Sequence, residues 1–211
     1  MNLGILLILI TLFGYASNWI NWQFLNYKLV RLLYFLGSFV HESSHAVLCL
    51  LTGAKIKEFK VFSRQPRVVH LEPKLPLLGM PLISLAPLFG GSAFLFLLNR
   101  FWLKDYFIIS KISEWQEAIF LPFDLLSQIN LLEWQSWVMI FIFLNVGAMI
   151  GPSLKDLKNF WPVLILFFFI NSPALLGFAY LVLGLILTNL IIQLILVILI
   201  FLGRLILKLP L

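Results

Sequence analysis

Two histidines and a glutamate stand close together within residues 29–51, a stretch of the chain that is otherwise mostly apolar. They form the motif His41-Glu42-Ser43-Ser44-His45. On a helix the two histidines lie one turn apart on one face, a geometry that suits two ligands to a single zinc ion. Glu42 is the next residue around the helix, where its carboxylate can take a proton from a metal-bound water. The motif therefore predicts a zinc-dependent hydrolytic site.

A glutamate and two histidines near the middle of a bilayer-length segment are costly unless they are paired or hold a metal. The alternative is a chance match in a helix that buries two polar histidines, and the lipid context disfavours it. Cys49 follows His45 by four residues on the same face. Three ligands spaced in this way would spread over about 12 Å of helix axis and could not meet at one ion. We therefore expect Cys49 to contribute to packing.

The composition indicates an integral membrane protein. Of the 211 residues, 62% are hydrophobic and 11% are charged, whereas a soluble domain averages about 25% charged residues. The net charge is +6, but the basic residues gather near the ends of apolar segments. That distribution is typical of topology determinants and contacts with anionic lipids. We expect one integral membrane domain over residues 1–211, with the lipid bilayer as a partner and no nucleic acid.

The apolar segments predict an all-α polytopic membrane protein with about six transmembrane helices. The first four segments are residues 3–19, 29–51, 76–98 and 137–150. Two more helices follow residue 160, and we expect Asn171-Ser172-Pro173 to divide them. The first segment could be a signal peptide, but no lysine or arginine precedes its apolar core. Proline, glycines and serine within residues 86–92 predict a kink or a close helix contact in the third span.

Two polar stretches interrupt this pattern. Residues 54–74 interleave basic and apolar residues around Gln65-Pro66, which predicts a small β-hairpin after the second helix. His70 lies in that hairpin, where we expect a surface histidine and not a metal ligand. Residues 99–136 are amphipathic and rich in tryptophan, which predicts an interfacial loop with one or two helices in the headgroup plane.

Counting six spans places the N-terminus, the hairpin, the turn at residues 152–158 and the C-terminal end on one side of the membrane. Ten lysines and arginines gather on that side and five on the other, which predicts that the hairpin is cytoplasmic. Asp156 then lies on the same side and at a similar depth as His45. It is our candidate for a third, oxygen ligand that leaves a fourth position open for water. Alternatively, Asp156 stabilises a helix start, with Lys155 or Lys158 as its partner.

These stretches resemble the site-two protease family of membrane-embedded zinc metalloproteases. Besides the histidine motif and the basic hairpin, Leu85-Ala86-Pro87-Leu88-Phe89-Gly90 is similar to the family's Ala-Gly-Pro-Leu-x-Asn element, and Asn145 through Asp156 is similar to its Asn-Pro-Leu-Asp-Gly element. Ala86 and Gly90 replace a glycine and an asparagine of the family, and Leu157 replaces a glycine, which indicates a divergent branch. The resemblance implies that His41, His45 and Asp156 bind zinc and that Glu42 is the base.

The leading hypothesis is an intramembrane zinc-dependent endopeptidase of the cell membrane, whose multi-pass chain opens its active site toward the cytoplasm. Its substrate would be a membrane-embedded or membrane-adjacent segment of another protein, which the hairpin could hold as an added strand. The alternative is a non-proteolytic metal-binding scaffold or chaperone, which would not need Glu42. A metal or proton conduit is disfavoured, because Arg31, Tyr34 and Ser38 are the only polar residues between Lys28 and His41.

Overall fold

The computed structural model describes residues 1–24, 27–61, 63, 66–109 and 111–207. Its helices are α1 (Leu3–Phe24), α2 (Tyr27–Thr52), α3 (Pro76–Ser84), α4 (Ala86–Leu97), α5 (Trp115–Ser127), α6 (Trp134–Asn145), α7 (Leu154–Phe167) and α8 (Pro173–Leu207). Two strands, β1 (Ile56–Lys60) and β2 (Arg67–His70), follow α2. A mostly helical chain with one small hairpin after the second helix is therefore confirmed.

The hairpin is antiparallel, with Phe59 opposite Val68 and Lys60 opposite Arg67. Gln65, at its predicted break, lies outside the described residues. Arg67 donates two hydrogen bonds across the strands to Glu58, at 2.9 Å and 3.2 Å, and Lys60 also contacts that carboxylate. Because Arg67 and then Lys60 stabilise the ionised form, the pKa of Glu58 falls to about 2. These contacts join the two strands at Arg67.

Two helices, α1 and α8, are long and apolar enough to cross a membrane within the part of the chain that the structure describes. A third crossing is formed if α3 and α4 count as one span bent by 45°, and the bend confirms the predicted kink. Helix α7 has 14 residues, fewer than the about 20 that a span needs. The structure therefore supports a membrane protein, and the predicted count of six spans is not confirmed.

Helices α1 and α8 run in the same direction, which corrects the predicted arrangement of sides. Tyr180, near the start of α8, lies beside the Met1 carbonyl, and farther along Asn189 donates to the Ser17 hydroxyl at 2.7 Å. The start of α8 therefore lies at the same end as the N-terminus, and not at the opposite end. Its far end, which carries Arg204, therefore lies away from the N-terminus, and not beside it as predicted.

Helix α7 runs against α1. Gly151, just before α7, meets Gly14 of α1, and a Cβ added to Gly14 would lie 3.1 Å from the Gly151 Cα. Phe168, just after α7, covers Gly4 near the start of α1. Because neither Gly14 nor Gly151 has a side chain, the turn before α7 comes into direct contact with α1. This contact fixes the depth at which α7 starts, and therefore the depth of Asp156 in its first turn.

The segment 99–136 contains helix α5, which packs along α8. Ala118 and Leu121 of α5 are buried and contact α8 at Gly184, while the Ile112 carbonyl lies against Gly177. The segment before α5 contacts an earlier residue of α8 than α5 itself does, so the two helices run in the same direction. The location of this segment at the headgroup level stays a prediction.

Candidate metal centre

Helix α2 carries His41, Glu42 and His45, and all three side chains are buried. The neighbouring Ser44 hydroxyl donates to the Val40 carbonyl at 2.6 Å, so it is satisfied within the helix. Gly90 of α4 faces Ser44 so closely that an added Cβ would lie 1.8 Å from the serine oxygen. A larger residue at position 90 would push α4 away from the motif. The departure at Gly90 from the family pattern therefore has a steric reason.

Asp156 lies in the first turn of α7, where it forms a reciprocal cap with Ser153. The Ser153 N–H donates to Asp156 Oδ2 at 2.8 Å, and the Asp156 N–H donates to the Ser153 hydroxyl at 3.3 Å. Asp156 Oδ1 is 3.5 Å from His45 Nε2, and Oδ2 is 3.8 Å from His41 Nε2. Among the described residues, the ion-pair contacts of Asp156 are with the two histidines and not with Lys155 or Lys158. The carboxylate thus both caps a helix and faces the motif.

Backbone carbonyls orient both imidazole rings. His41 Nδ1 lies 2.8 Å from the Met149 carbonyl, and His45 Nδ1 lies 2.8 Å from the Ile83 carbonyl. A carbonyl oxygen only accepts, so each Nδ1 carries the proton, and in a neutral ring Nε2 is left with a free lone pair. Such outer partners are what ligating histidines normally have. Sequence reasoning missed both carbonyls, because a backbone oxygen has no residue-type signal.

The separation of the two histidine nitrogens fits a tetrahedral zinc ion. The two Nε2 atoms lie 3.2 Å apart, and two bare nitrogens at this distance cannot hydrogen-bond to each other. Donors bound to zinc at about 2.0–2.1 Å in tetrahedral geometry lie about 3.3 Å from one another. The Asp156 oxygens lie farther away, with Oδ1 3.5 Å from His45 Nε2 and the other oxygen, Oδ2, 3.8 Å from His41 Nε2. His41, His45 and Asp156 are therefore residues of the types that bind zinc, and they lie close enough together to hold a metal ion.

A cavity of about 510 Å³ opens at this cluster and also contains Glu42. Strand β2 lines it through Arg67, Val68 and His70. Toward the other end it reaches Asn18 and Tyr34, whose side chains hydrogen-bond at 3.0 Å. The polar lining of the cavity therefore includes Asn18 of α1, which the sequence of α2 alone could not reveal.

The remaining candidates take other roles. His70 lines the cavity, but it is not one of the three groups that converge among the described residues. Cys49 is fully buried against Ala54, Val68 and Ile83, which confirms the packing role. Asn145, the first residue of the stretch similar to the Asn-Pro-Leu-Asp-Gly element, donates to the Phe141 carbonyl of its own helix at 2.9 Å and does not line the cavity.

Gly37 provides a test of how the carbonyl at Met149 is held. A Cβ on Gly37 would lie 2.2 Å from the Asn145 carbonyl oxygen and 2.9 Å from the Met149 side chain. We expect Gly37→Ala to displace this segment, to lower the free energy of unfolding by about 1–3 kcal/mol and to weaken metal binding through His41. Gly203→Ala is the matched control, because no atom of the described residues lies within 4 Å of its added Cβ. Thermal unfolding and zinc titration of both variants measure the effect, and equal behaviour of the two would contradict it.

Comparison with known protein families matches residues 5–113 to the Peptidase M50B-like family. The match covers just over half of the chain and includes the histidine motif, the hairpin and helices α3 and α4, while Asp156 lies beyond it. No curated protein and no solved structure gives a match. The matched region contains two of the three stretches that carry the resemblance to site-two proteases, and the stretch from Asn145 to Asp156 lies outside it. The chain therefore belongs to the Peptidase M50B-like family, and its predicted membership of the site-two protease family is confirmed.

Proposed function

We propose that the protein is a zinc-dependent endopeptidase that hydrolyses peptide bonds of membrane-embedded or membrane-adjacent protein segments. One observation carries this proposal: His41, His45 and Asp156 offer ligand atoms that all lie within 4.8 Å of one another, and Glu42 lines the same cavity. The membership of a peptidase family agrees with it. Membership alone does not distinguish an active protease from a scaffold that keeps the metal site, but a site that only holds a metal would not need Glu42.

The proposed roles follow from the positions of the side chains. His41 and His45 would each offer Nε2 to the metal, and Asp156 would offer a carboxylate oxygen. When bound, zinc would supply a Lewis acid that polarises a carbonyl and lowers the pKa of a water to about 7. Glu42, buried beside the two histidines, would accept a proton from the attacking water and pass it to the leaving amine.

The substrate would enter in an extended form. Among the described residues, strand β2 pairs with β1 alone, and its residues line the cavity. An edge strand offers unpaired backbone groups, to which an extended peptide can add as a further strand. A helical membrane segment would therefore have to unwind locally before its scissile bond reaches Glu42. We place the site in a cell membrane with its opening toward the cytoplasm, on the side of the basic hairpin.

Metal content tests the proposal directly. We expect purified protein to carry about one zinc per chain and the His41→Ala/His45→Ala double variant to carry almost none. The reason is that both nitrogen donors are lost. His70→Ala is the matched control, since His70 lines the same cavity outside the cluster and its replacement should leave zinc unchanged. Elemental analysis of folded, monodisperse samples measures the zinc content per chain. A zinc-free parent, or a double variant with the zinc content of the parent, would refute the metal site.

A further inference from the structure

The cavity at the metal centre continues past the ligands to a distal end, which contains Tyr34 of α2 and Asn18 of α1. Tyr34 precedes His41 by seven residues, which is about 10 Å along a helix. Strand β2 lines the cavity in the other direction, where Val68 packs in one cluster with Cys49, beyond the histidines on α2. The metal ligands therefore lie between strand β2 and the distal end.

The hydrogen bonds at the distal end leave one donor for a ligand. Asn21 Nδ2 donates to the Tyr34 hydroxyl at 3.0 Å, and that hydroxyl donates to Asn18 Oδ1 at 3.0 Å. Because the Asn18 oxygen is engaged in this way, its Nδ2 remains as the donor, and it donates to none of the described residues. Asn18 is exposed and lines the cavity, so a molecule in the cavity can reach this group.

The distal end offers a hydrogen bond without a charge. Its described lining residues are all uncharged, namely Gly14, Tyr15, Asn18, Tyr34 and Ser38. An amide donor there can pair with the oxygen of an asparagine, glutamine, serine or threonine side chain. A carboxylate would lose water at this position without gaining a counter-charge, which is costly. The distal end therefore favours a neutral polar side chain.

We propose that Asn18 is a specificity residue that binds a neutral polar side chain of the substrate, about three residues from the scissile bond. This inference rests on the proposed function. An extended chain rises about 3.3 Å per residue, so the about 10 Å from His41 to Tyr34 corresponds to about three residues. A substrate that adds to β2 and crosses the metal ligands reaches Asn18 on the far side. Strand β2 then aligns the substrate backbone, and Asn18 sets which peptide bond faces the metal centre.

The position of cleavage tests this register. The full chain in liposomes is given apolar single-span peptides that carry one asparagine at successive positions, and the products are identified by mass spectrometry. We expect cleavage about three residues from the asparagine, at a site that moves by one residue whenever the asparagine does. Peptides with asparagine should be cleaved about three- to tenfold faster than the all-leucine peptide, which is the effect of about one hydrogen bond. Asn18→Leu should abolish both effects, because leucine is of similar size but donates nothing.

Asn21→Leu is the matched control, because Asn21 belongs to the same hydrogen-bonded group but does not line the cavity. It should keep the dependence on asparagine, and so should Asn18→Gln, which retains an amide donor. Equal loss in the Asn18→Leu and Asn21→Leu variants would show that the group only holds α1 against α2, and would overturn the assignment. A cleavage position that ignores the asparagine in the parent would also overturn it.

Binding separates this inference from the proposed activity. The same peptides are titrated into zinc-loaded Glu42→Gln protein, in which cleavage is slowed. We expect the asparagine peptides to bind about three- to tenfold more tightly than the all-leucine peptide, and Asn18→Leu to remove the difference. A parent that cleaves no peptide would refute the protease proposal, while the difference in binding would still decide on Asn18. Equal binding of the two kinds of peptide would overturn the role of Asn18, whatever the parent cleaves.

Discussion

Replacing Glu42 with glutamine should leave zinc bound while slowing peptide-bond cleavage by about 10²–10⁴-fold. Glutamine has nearly the same size and can still hydrogen-bond to water, but its amide cannot accept a proton at neutral pH. Glu42 lines the cavity beside His41 and His45 but is outside the group of converging ligand atoms. Its replacement should therefore separate proton transfer from metal binding, which replacement of a histidine cannot do.

The measurement uses liposomes that contain the protein and a panel of single-span substrates, with products identified by mass spectrometry and zinc measured on the same samples. Glu72→Gln is the matched control, because Glu72 is an exposed acid just after β2 that does not line the cavity. Cleavage by Glu42→Gln at the parental rate would exclude the proton-transfer role. A parent that holds zinc and cleaves no member of the panel would favour the scaffold or chaperone.

Replacing Asp156 with asparagine should have a different signature, in which zinc affinity and cleavage fall together. An amide oxygen is a poorer zinc ligand than a carboxylate, yet it can still accept the Ser153 N–H bond that caps α7. The fold should therefore survive. Loss of a direct ligand should weaken zinc by more than the about 10–100-fold that loss of an outer partner costs. Competition with a chelator of known affinity measures the change.

Ser153→Ala is the complementary variant. It removes the cap hydroxyl while it keeps the carboxylate, so we expect a loss of about 1 kcal/mol in stability with a smaller change in zinc affinity than in Asp156→Asn. If Asp156→Asn instead kept full zinc affinity and full activity, Asp156 would serve only to start the helix. The third ligand would then have to be sought among other residues of the cavity, and His70 would be the first to replace.

Several features of the protein could be predicted from local patterns. The spacing of His41 and His45 places both on one helix face wherever the helix packs, because a helix has 3.6 residues per turn. The break at Asn171-Ser172-Pro173 is where α8 begins, since proline fits the first turn of a helix and has no N–H to donate. The alternation of basic and apolar residues likewise predicted the hairpin. These properties depend on residues that are close in sequence.

The arrangement of sides could not be predicted in the same way. Assigning alternate sides to successive segments is valid only if each segment crosses the membrane, and the 14-residue helix α7 is too short to do so. The structure instead brings Met1 and the start of α8 to the same end. Hydrophobicity shows that a segment is apolar, but packing partners determine its direction.

The completeness of the metal centre was decided by tertiary structure alone. The sequence placed Asp156 at the depth of the histidines, but its distance from them depends on where α7 starts, and the contact of Gly14 with Gly151 sets that position. The carbonyls of Ile83 and Met149 reach the rings because the chain leaves regular α-helix near both residues. Helix breaks free backbone groups to bind elsewhere, and only the packing of distant segments determines which side chain they meet.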